Sequence, residues 1–328
     1  MSLKVRKPVW ILEYDHKDIT TEISPFVNSV TYTDNEHGTA DEIEINVENS
    51  DLRWIDSWYP EKGDIISLMI GYEGEKLLPC GSFEIDECEA NGPPDTLTIR
   101  GISTNITKAL RQKNTKAYEN TSLKQIAEEI AQKHGFTIVG NVQNIQFKRK
   151  TQKNMTDLSY LRQLAEEYGQ VFKIVDNKLV FYEIETLDAA NTVHSIDRKQ
   201  LKSYSLRDKA DQTFKACEVN YFNPKTKKLV SASVSTSETK KGDVLKLSER
   251  AENKAQAEAK AKAALKRTNN LKTEGTLEFE GEPIVVSGSN INLTGMKKLF
   301  GKYAVVKSTH TQFKTDGYST SVEVRRIA

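Results

Sequence analysis

Cysteine is scarce in this sequence. Three residues, Cys80, Cys88 and Cys217, form an odd set without a Cys-x-x-Cys spacing. That excludes a disulfide scaffold and predicts reduced thiols packed as small hydrophobes. Histidine is scarce too. His16, His37, His134, His194 and His310 stand singly, with no His-x-x-x-His pair, so no metal site is expected. No apolar run approaches the ~18 residues of a membrane span. The start, Met1 to Lys7, carries charge without an apolar stretch behind it, and no signal peptide is expected. Charge of one sign is also missing. Lys plus Arg number 47 and Asp plus Glu 46, leaving a formal net charge of +1. A near-neutral chain gives no general electrostatic reason to bind nucleic acid or an anionic membrane, despite short basic runs such as Lys148-Arg149-Lys150.

Catalytic signatures are absent as well. There is no Gly-x-Ser-x-Gly elbow, no phosphate-cradling Gly-x-x-x-x-Gly-Lys-Ser/Thr and no Gly-x-Gly-x-x-Gly after a strand. No catalytic residue and no cofactor is expected. Carboxylates do occur in pairs, at Asp41-Glu42, Glu128-Glu129 and Glu166-Glu167. A glycosidase needs two carboxyls facing across a cleft, whereas those on the helices flank apolar stripes and read as a solvated outer face.

At 328 residues the chain is long enough for two or three domains of ~100–150 residues. The first hundred residues read as strands. Ile43, Ile45 and Val47 alternate with Glu42, Glu44, Asn46 and Glu48, the period of a half-buried strand. Val9–Tyr14, Ile65–Tyr72, Gly81–Glu89 and Asp95–Arg100 add more, with turn residues between them. A short helix is expected over Asn105–Gln112. The pattern then turns helical: Leu123, Ile126, Ala127 and Ile130 share one face, ending at Gly135. After a short strand at Phe136–Val139, Leu158, Leu161, Leu164, Ala165 and Tyr168 form a second stripe, capped by Thr156 or Asn154 and ended by Gly169. A hairpin of Val171–Val175 and Lys178–Tyr182 follows, turning at Asp176-Asn177. Strands return at Leu201–Leu206, Phe214–Phe222 and Leu229–Val234, with a turn at Asn223–Thr226. A helix over Glu249–Arg267 carries a small-residue stripe of Ala251, Ala255, Ala259 and Ala263, with interleaved charges suited to an exposed surface. Thr273–Glu280, Asn290–Leu293, Tyr303–Gln312 and Gly317–Arg325 close the chain as strands.

The resulting fold class is α+β, mainly β. The expected units are a β domain at 1–104, an α+β domain at 105–189, and a second β domain at 190–328 that includes the long helix. One exposed-looking cluster stands out, Trp54, Trp58 and Tyr59 followed by Pro60. Aromatics there suit either a loop packed over the end of a β-barrel or an interface anchor. As an interface, a protein partner is favoured over carbohydrate.

Three stretches, in order, resemble one family. They are Asn154-Met155-Thr156-Asp157-Leu158-Ser159-Tyr160-Leu161-Arg162-Gln163-Leu164-Ala165 through Gly169 with the hairpin after it, then Ala251–Arg267 running into Glu274-Gly275-Thr276-Leu277 and Gly281-Glu282-Pro283, then Gly301–Val305 and Asp316–Thr320 with His310 between. Together they cover roughly 105–328 and resemble the phage late control gene D proteins. These are baseplate hubs of contractile tails in phages, prophages and tailocins, similar in fold to the hub portion of type VI secretion spike proteins. The resemblance implies a structural protein rather than an enzyme, located in the virion tail or baseplate and assembled in the host cytoplasm. It implies a homotrimer in which each chain supplies two tube-like β-barrels. Three chains would then present a pseudo-sixfold ring to the hexameric tail tube and a threefold face to the spike. The implied partners are the spike, the tail tube and other baseplate proteins, with no nucleic acid specificity and no membrane span. Since the chain stops at Ala328 after the last hub strand, a separate spike protein is expected. The alternative is a cell-wall component that binds or hydrolyses peptidoglycan, with the α+β unit as a small glycan-binding module.

Overall fold

The computed structural model describes residues 6–103, 112–175, 177–209, 213–223, 227–236 and 242–327. The N-terminal region holds β1 (Pro8–Tyr14), β2 (Lys17–Asp18), a single helical turn α1 (Thr20–Ile23), β3 (Val27–Asn35), β4 (Glu42–Glu48), β5 (Ile65–Tyr72), β6 (Leu78–Asn91) and β7 (Thr96–Ser103). The alternation in β4 is realised directly. Ile43, Ile45 and Val47 are buried between exposed or half-buried polar neighbours. They join Val30, Leu68, Ile70, Phe83 and Leu97 in the first core.

The middle region contains β8 (Lys113–Ser122), α2 (Leu123–His134), β9 (Thr137–Gly140), β10 (Gln146–Thr156), α3 (Asp157–Glu167), β11 (Gln170–Val175) and β12 (Lys178–Glu183). Ser122 caps α2 reciprocally: its hydroxyl accepts the Gln125 amide while the Gln125 side chain accepts the Ser122 amide. Gly135, at φ +74°, closes that helix in the left-handed region. Of the two candidate caps for α3, the structure uses Thr156, whose hydroxyl accepts the Ser159 amide. Asn154 lies in β10 at φ +50°, where the register against β8 shifts between Gln152 and Met155. Tyr160, Leu161, Leu164, Ile126 and Phe181 make a second core whose buried members all come from this region, with Ala259 of the last region packed at its edge.

The last region runs α4 (Ile184–Ala189), β13 (Thr192–Asp197), β14 (Leu201–Asp208), β15 (Phe214–Asn223), β16 (Lys228–Ser235), β17 (Asp243–Leu247), α5 (Lys254–Asn270), β18 (Thr273–Glu280), β19 (Asn290–Thr294), β20 (Gly301–Phe313) and β21 (Gly317–Arg326). β18 to β21 enclose a third core around Ile291, Tyr303 and Val324. α5 packs its Ala257, Ala261, Ala264 and Leu265 on Cys217, Val219 and Ala232 of the β15–β16 pair.

The two β-rich regions share one sheet, ordered β14-β18-β21-β20-β3-β4-β7-β6-β5-β1-β2, with β19 and β13 branching from β20. The junction is the antiparallel pair β20–β3, which sets Thr309 opposite Thr33 and His310 opposite Tyr32. Among the described residues this path is open at β14 and β2, and no closed ring of strands is present. A side chain spans the ends of the N-terminal part. The buried Gln312 amide of β20 donates to the Val9 carbonyl of β1 at 3.1 Å and to the Gly71 carbonyl of β5 at 2.9 Å.

Several expectations are corrected. α5 begins at Lys254 with Asn253 as its cap, not at Glu249. Its buried stripe is not Ala251, Ala255, Ala259 and Ala263, because Ala255 is exposed and Ala259 only half-buried. Nor is the helix uniformly solvated, since Lys260 is buried. The sequence patterns do not mark β2, β3, β8, β10, β13 or β17, nor the short helices α1 and α4. The expected Asn105–Gln112 helix and the turns at Asp176-Asn177 and Asn223–Thr226 fall wholly or partly outside the described residues.

Candidate protein interface

The aromatic cluster sits on the loop between β4 and β5. Asn49 anchors the loop: its amide donates to the Asp95 carbonyl at 2.9 Å and its side-chain oxygen accepts the Trp54 amide at 3.0 Å. Leu52, at φ +60°, turns the chain into a 3-10 turn over Arg53–Ile55. That turn separates three aromatic residues the sequence presents alike. Trp54 is buried, whereas Trp58 is 40% and Tyr59 46% exposed. The Trp54 and Trp58 rings meet edge to face at 5.4 Å, and Phe26 meets Trp58 at 5.8 Å. Arg53 lies over both Phe26, at 4.3 Å, and Trp58, at 5.0 Å, while its Nε donates to Asp51 at 2.6 Å. Beneath the loop is an apolar cleft of about 280 Å³ whose walls include Leu12, Ile19, Ile23, Trp58 and Pro60. Trp54 forms its floor, and its Nε1 finds no acceptor among the described residues. An amphipathic rim over an apolar floor favours contact with a protein surface.

The titratable groups are mostly committed elsewhere. His310 is fully buried. Its Nδ1 faces the Tyr318 hydroxyl at 2.8 Å, and its Nε2 faces the Val285 carbonyl at 3.1 Å and Ser308 Oγ at 3.2 Å. Burial lowers its pKa to about 4, which keeps the ring neutral and structural. His37 bridges Glu166 and the Phe172 amide. The acid pairs are less uniform than a solvated face. Glu128 and Glu129 are exposed, but Glu167 is held by Lys150 at 2.5 Å and Lys260 at 3.4 Å. Asp41 is buried beside Lys173 at 3.0 Å. Among the described residues no group of three or more His, Cys, Asp or Glu side chains is placed to hold a metal. Cys80 and Cys217 are buried free thiols, and Cys88 is half-buried. Among the described residues no helix is long and apolar enough to cross a membrane.

The fold is shared with tail proteins. The chain superposes on the 43 kDa tail protein of prophage MuSo2 from Shewanella oneidensis with a TM-score of 0.74 at 14% identity, covering 97% of this chain and 98% of that one. It superposes on the Escherichia coli c3393 protein, a component of the type VI secretion system, with a TM-score of 0.61 at 11% identity over 92% of this chain and 74% of that one. In sequence it is 30% identical, over 176 residues, to the probable baseplate hub protein of Escherichia phage P2. That match covers 53% of this chain and 45% of the relative, so the chain aligns with less than half of that relative's length. The resemblance to phage hub proteins is thus met by a sequence relative, and the type VI secretion component shares the fold. The model of the YQBQ-like family matches residues 30–325, nearly the whole length, and the chain belongs to that family.

Proposed function

We propose that this chain is the baseplate hub subunit of a contractile tail, a structural adaptor without catalytic activity that works in the virion or tail particle. Three copies would form a ring between the hexameric tube and the trimeric spike. The observation that carries this reading is the pairing of the two β-rich regions through β20 and β3, each with its own core. One chain therefore offers two β units side by side, and three chains offer six. Residues 1–104 and 190–328 would be the two tube-like barrels. The Gln312 bridge to β1 and β5 supports closure of the first. Residues 105–189 would lie at the periphery, and the ring would move outward with the spike when the sheath contracts.

Light scattering on the full chain tests this reading, alone and with a cognate spike. The expected mass is about 111 kDa for three 37.0 kDa chains. A 37.0 kDa species that persists at high concentration and ignores the spike would overturn it.

In this reading Trp58 and Tyr59 anchor a neighbouring subunit or baseplate protein over the Trp54 floor. Both rings are substantially exposed in the single chain. The double variant Trp58→Ala/Tyr59→Ala should therefore leave its melting midpoint within a few degrees. Association should weaken at least tenfold, as for aromatic anchors worth ~2 kcal/mol. Unchanged association in a titration would remove these residues from the interface.

A further inference from the structure

The α+β region carries its own core, and the described seams that hold it to the rest of the chain are largely polar. At the first seam, Lys173 of β11 crosses to the end of β3. Its ammonium pairs with Asp34 and lies 3.0 Å from Asp41 and 3.4 Å from Ser287 Oγ. Ser287 in turn donates its amide and hydroxyl to Asp34 at 2.8 and 2.7 Å. Beside this cluster the β3–β4 turn adds a short ladder. The Gly38 amide donates to the Phe172 carbonyl at 3.0 Å, and the Phe172 amide donates to His37 Nδ1 at 2.9 Å. At the second seam, Lys260 of α5 reaches Glu167 of α3, and Glu252 accepts the Lys148 and Arg149 amides at 2.6 and 3.2 Å. A cavity of about 400 Å³ opens at this second seam, lined among others by Lys150, Glu167, Glu252 and Lys260.

Such seams differ from a core in what happens when they part. Separating apolar faces exposes surface that water penalises. Separating buried ions returns them to solvent, and that hydration offsets most of the lost attraction. The first seam is also unbalanced, with two carboxylates sharing one ammonium. We propose that residues 113–183 form an arm that docks on and releases from the β body as a folded unit, with Lys173 as its clasp.

The clasp is flanked by further titratable groups. Burial, reinforced by the neighbouring Asp34 charge and opposed by Lys173, pushes the Asp41 carboxyl up to about 6. Tyr32, with its hydroxyl 3.5 Å away, and the buried Cys80 thiol also face this charge. Asp34 is held ionised despite burial by Lys173 and Ser287, and it is the carboxylate that keeps the clasp charged.

Hydrogen exchange on the full-length chain at pH 7 tests the proposal. In Lys173→Met the amides of Gly38, Lys148, Arg149 and Phe172 should exchange about tenfold faster, while those inside α2 and α3 keep their protection. The triple variant Asp34→Asn/Asp41→Asn/Lys173→Met, which removes the charges together, should restore slow exchange. Unchanged seam exchange in Lys173→Met would overturn the proposal. So would loss of protection inside α2 and α3 together with the seam, because the unit would then be unfolding rather than releasing.

Discussion

Asp157→Ala is expected to destabilise the α+β region by about 3 kcal/mol, the scale for removing one partner from a buried charged network. Asp157 is 3% exposed at the first position of α3, where a carboxylate meets the helix N-terminus favourably. Its Oδ2 accepts from Lys133 at 2.7 Å and His134 at 2.8 Å, and its Oδ1 accepts from Gln152 at 2.9 Å. It thus ties the end of α2, the start of α3 and strand β10 at one point. Burial alone would raise its pKa, but these hydrogen bonds outweigh burial and hold the carboxyl at about 2. The sign follows from that depression. The stabilisation is complete above the ordinary aspartate value of ~4 and is lost as pH falls through about 2. Urea unfolding at pH 7 and pH 3, followed by a probe in the α+β region, should show a large gap between wild type and Asp157→Asn at pH 7 that narrows at pH 3. An equal gap at both values would mean that shape rather than charge matters at this site.

Tyr318→Ala should cost about 3–5 kcal/mol, the range for deleting a buried aromatic side chain. The residue belongs to β21 of the C-terminal region, yet its ring lies in the N-terminal core, 5.3 Å from the Tyr72 ring. The ring also fills the space where a side chain on Gly281 would stand: an added Cβ there would come within 2.0 Å of it. The Gly281 amide donates to the Tyr318 carbonyl, and the Tyr72 hydroxyl donates to the Gly281 carbonyl, both at 2.9 Å. Removing the ring therefore opens the seam between the two β regions and takes a partner from His310. Tyr318→Phe keeps the ring and should cost about 1–2 kcal/mol through that lost hydrogen bond. Because the strands share a sheet, probes in both β regions should shift together under denaturant. A loss confined to the C-terminal region would show that the two regions unfold independently.

The sequence revealed elements whose burial has a period. The β4 alternation, the stripes of α2 and α3 and the last four strands are all legible, because each buries apolar residues at the period of its own backbone. β8 and β10 were not legible for the opposite reason. They form a two-stranded ribbon, paired from Gln146–Ser122 to Thr156–Lys113, that is mostly exposed on both faces and rich in Lys, Asn, Thr and Gln. α5 was visible through helix propensity, but alanines spaced all round it leave several equally good stripes. The choice among them is made by Cys217, Val219 and Ala232 from strands ~25–45 residues away. The aromatic cluster was visible as a cluster. Which ring turned inward depended on Asn49 holding the Trp54 amide and on Arg53 lying over Phe26 and Trp58. The Lys173 clasp left no sequence signal, since a lone lysine in a strand reads as solvent-facing until its distant partners Asp34, Asp41 and Ser287 arrive.

These features make a chain of two fused β regions with a polar-seamed arm between them in sequence. The account of a hub rests on how such chains assemble. The most direct measurement is a cryo-electron microscopy reconstruction of the purified chain bound to a cognate spike, refined without imposed symmetry. The account predicts threefold symmetry, three copies of the chain, and six β units in a pseudo-sixfold ring with the α+β regions outside it. A single copy on the spike, or a ring of six chains each contributing one β unit, would contradict it.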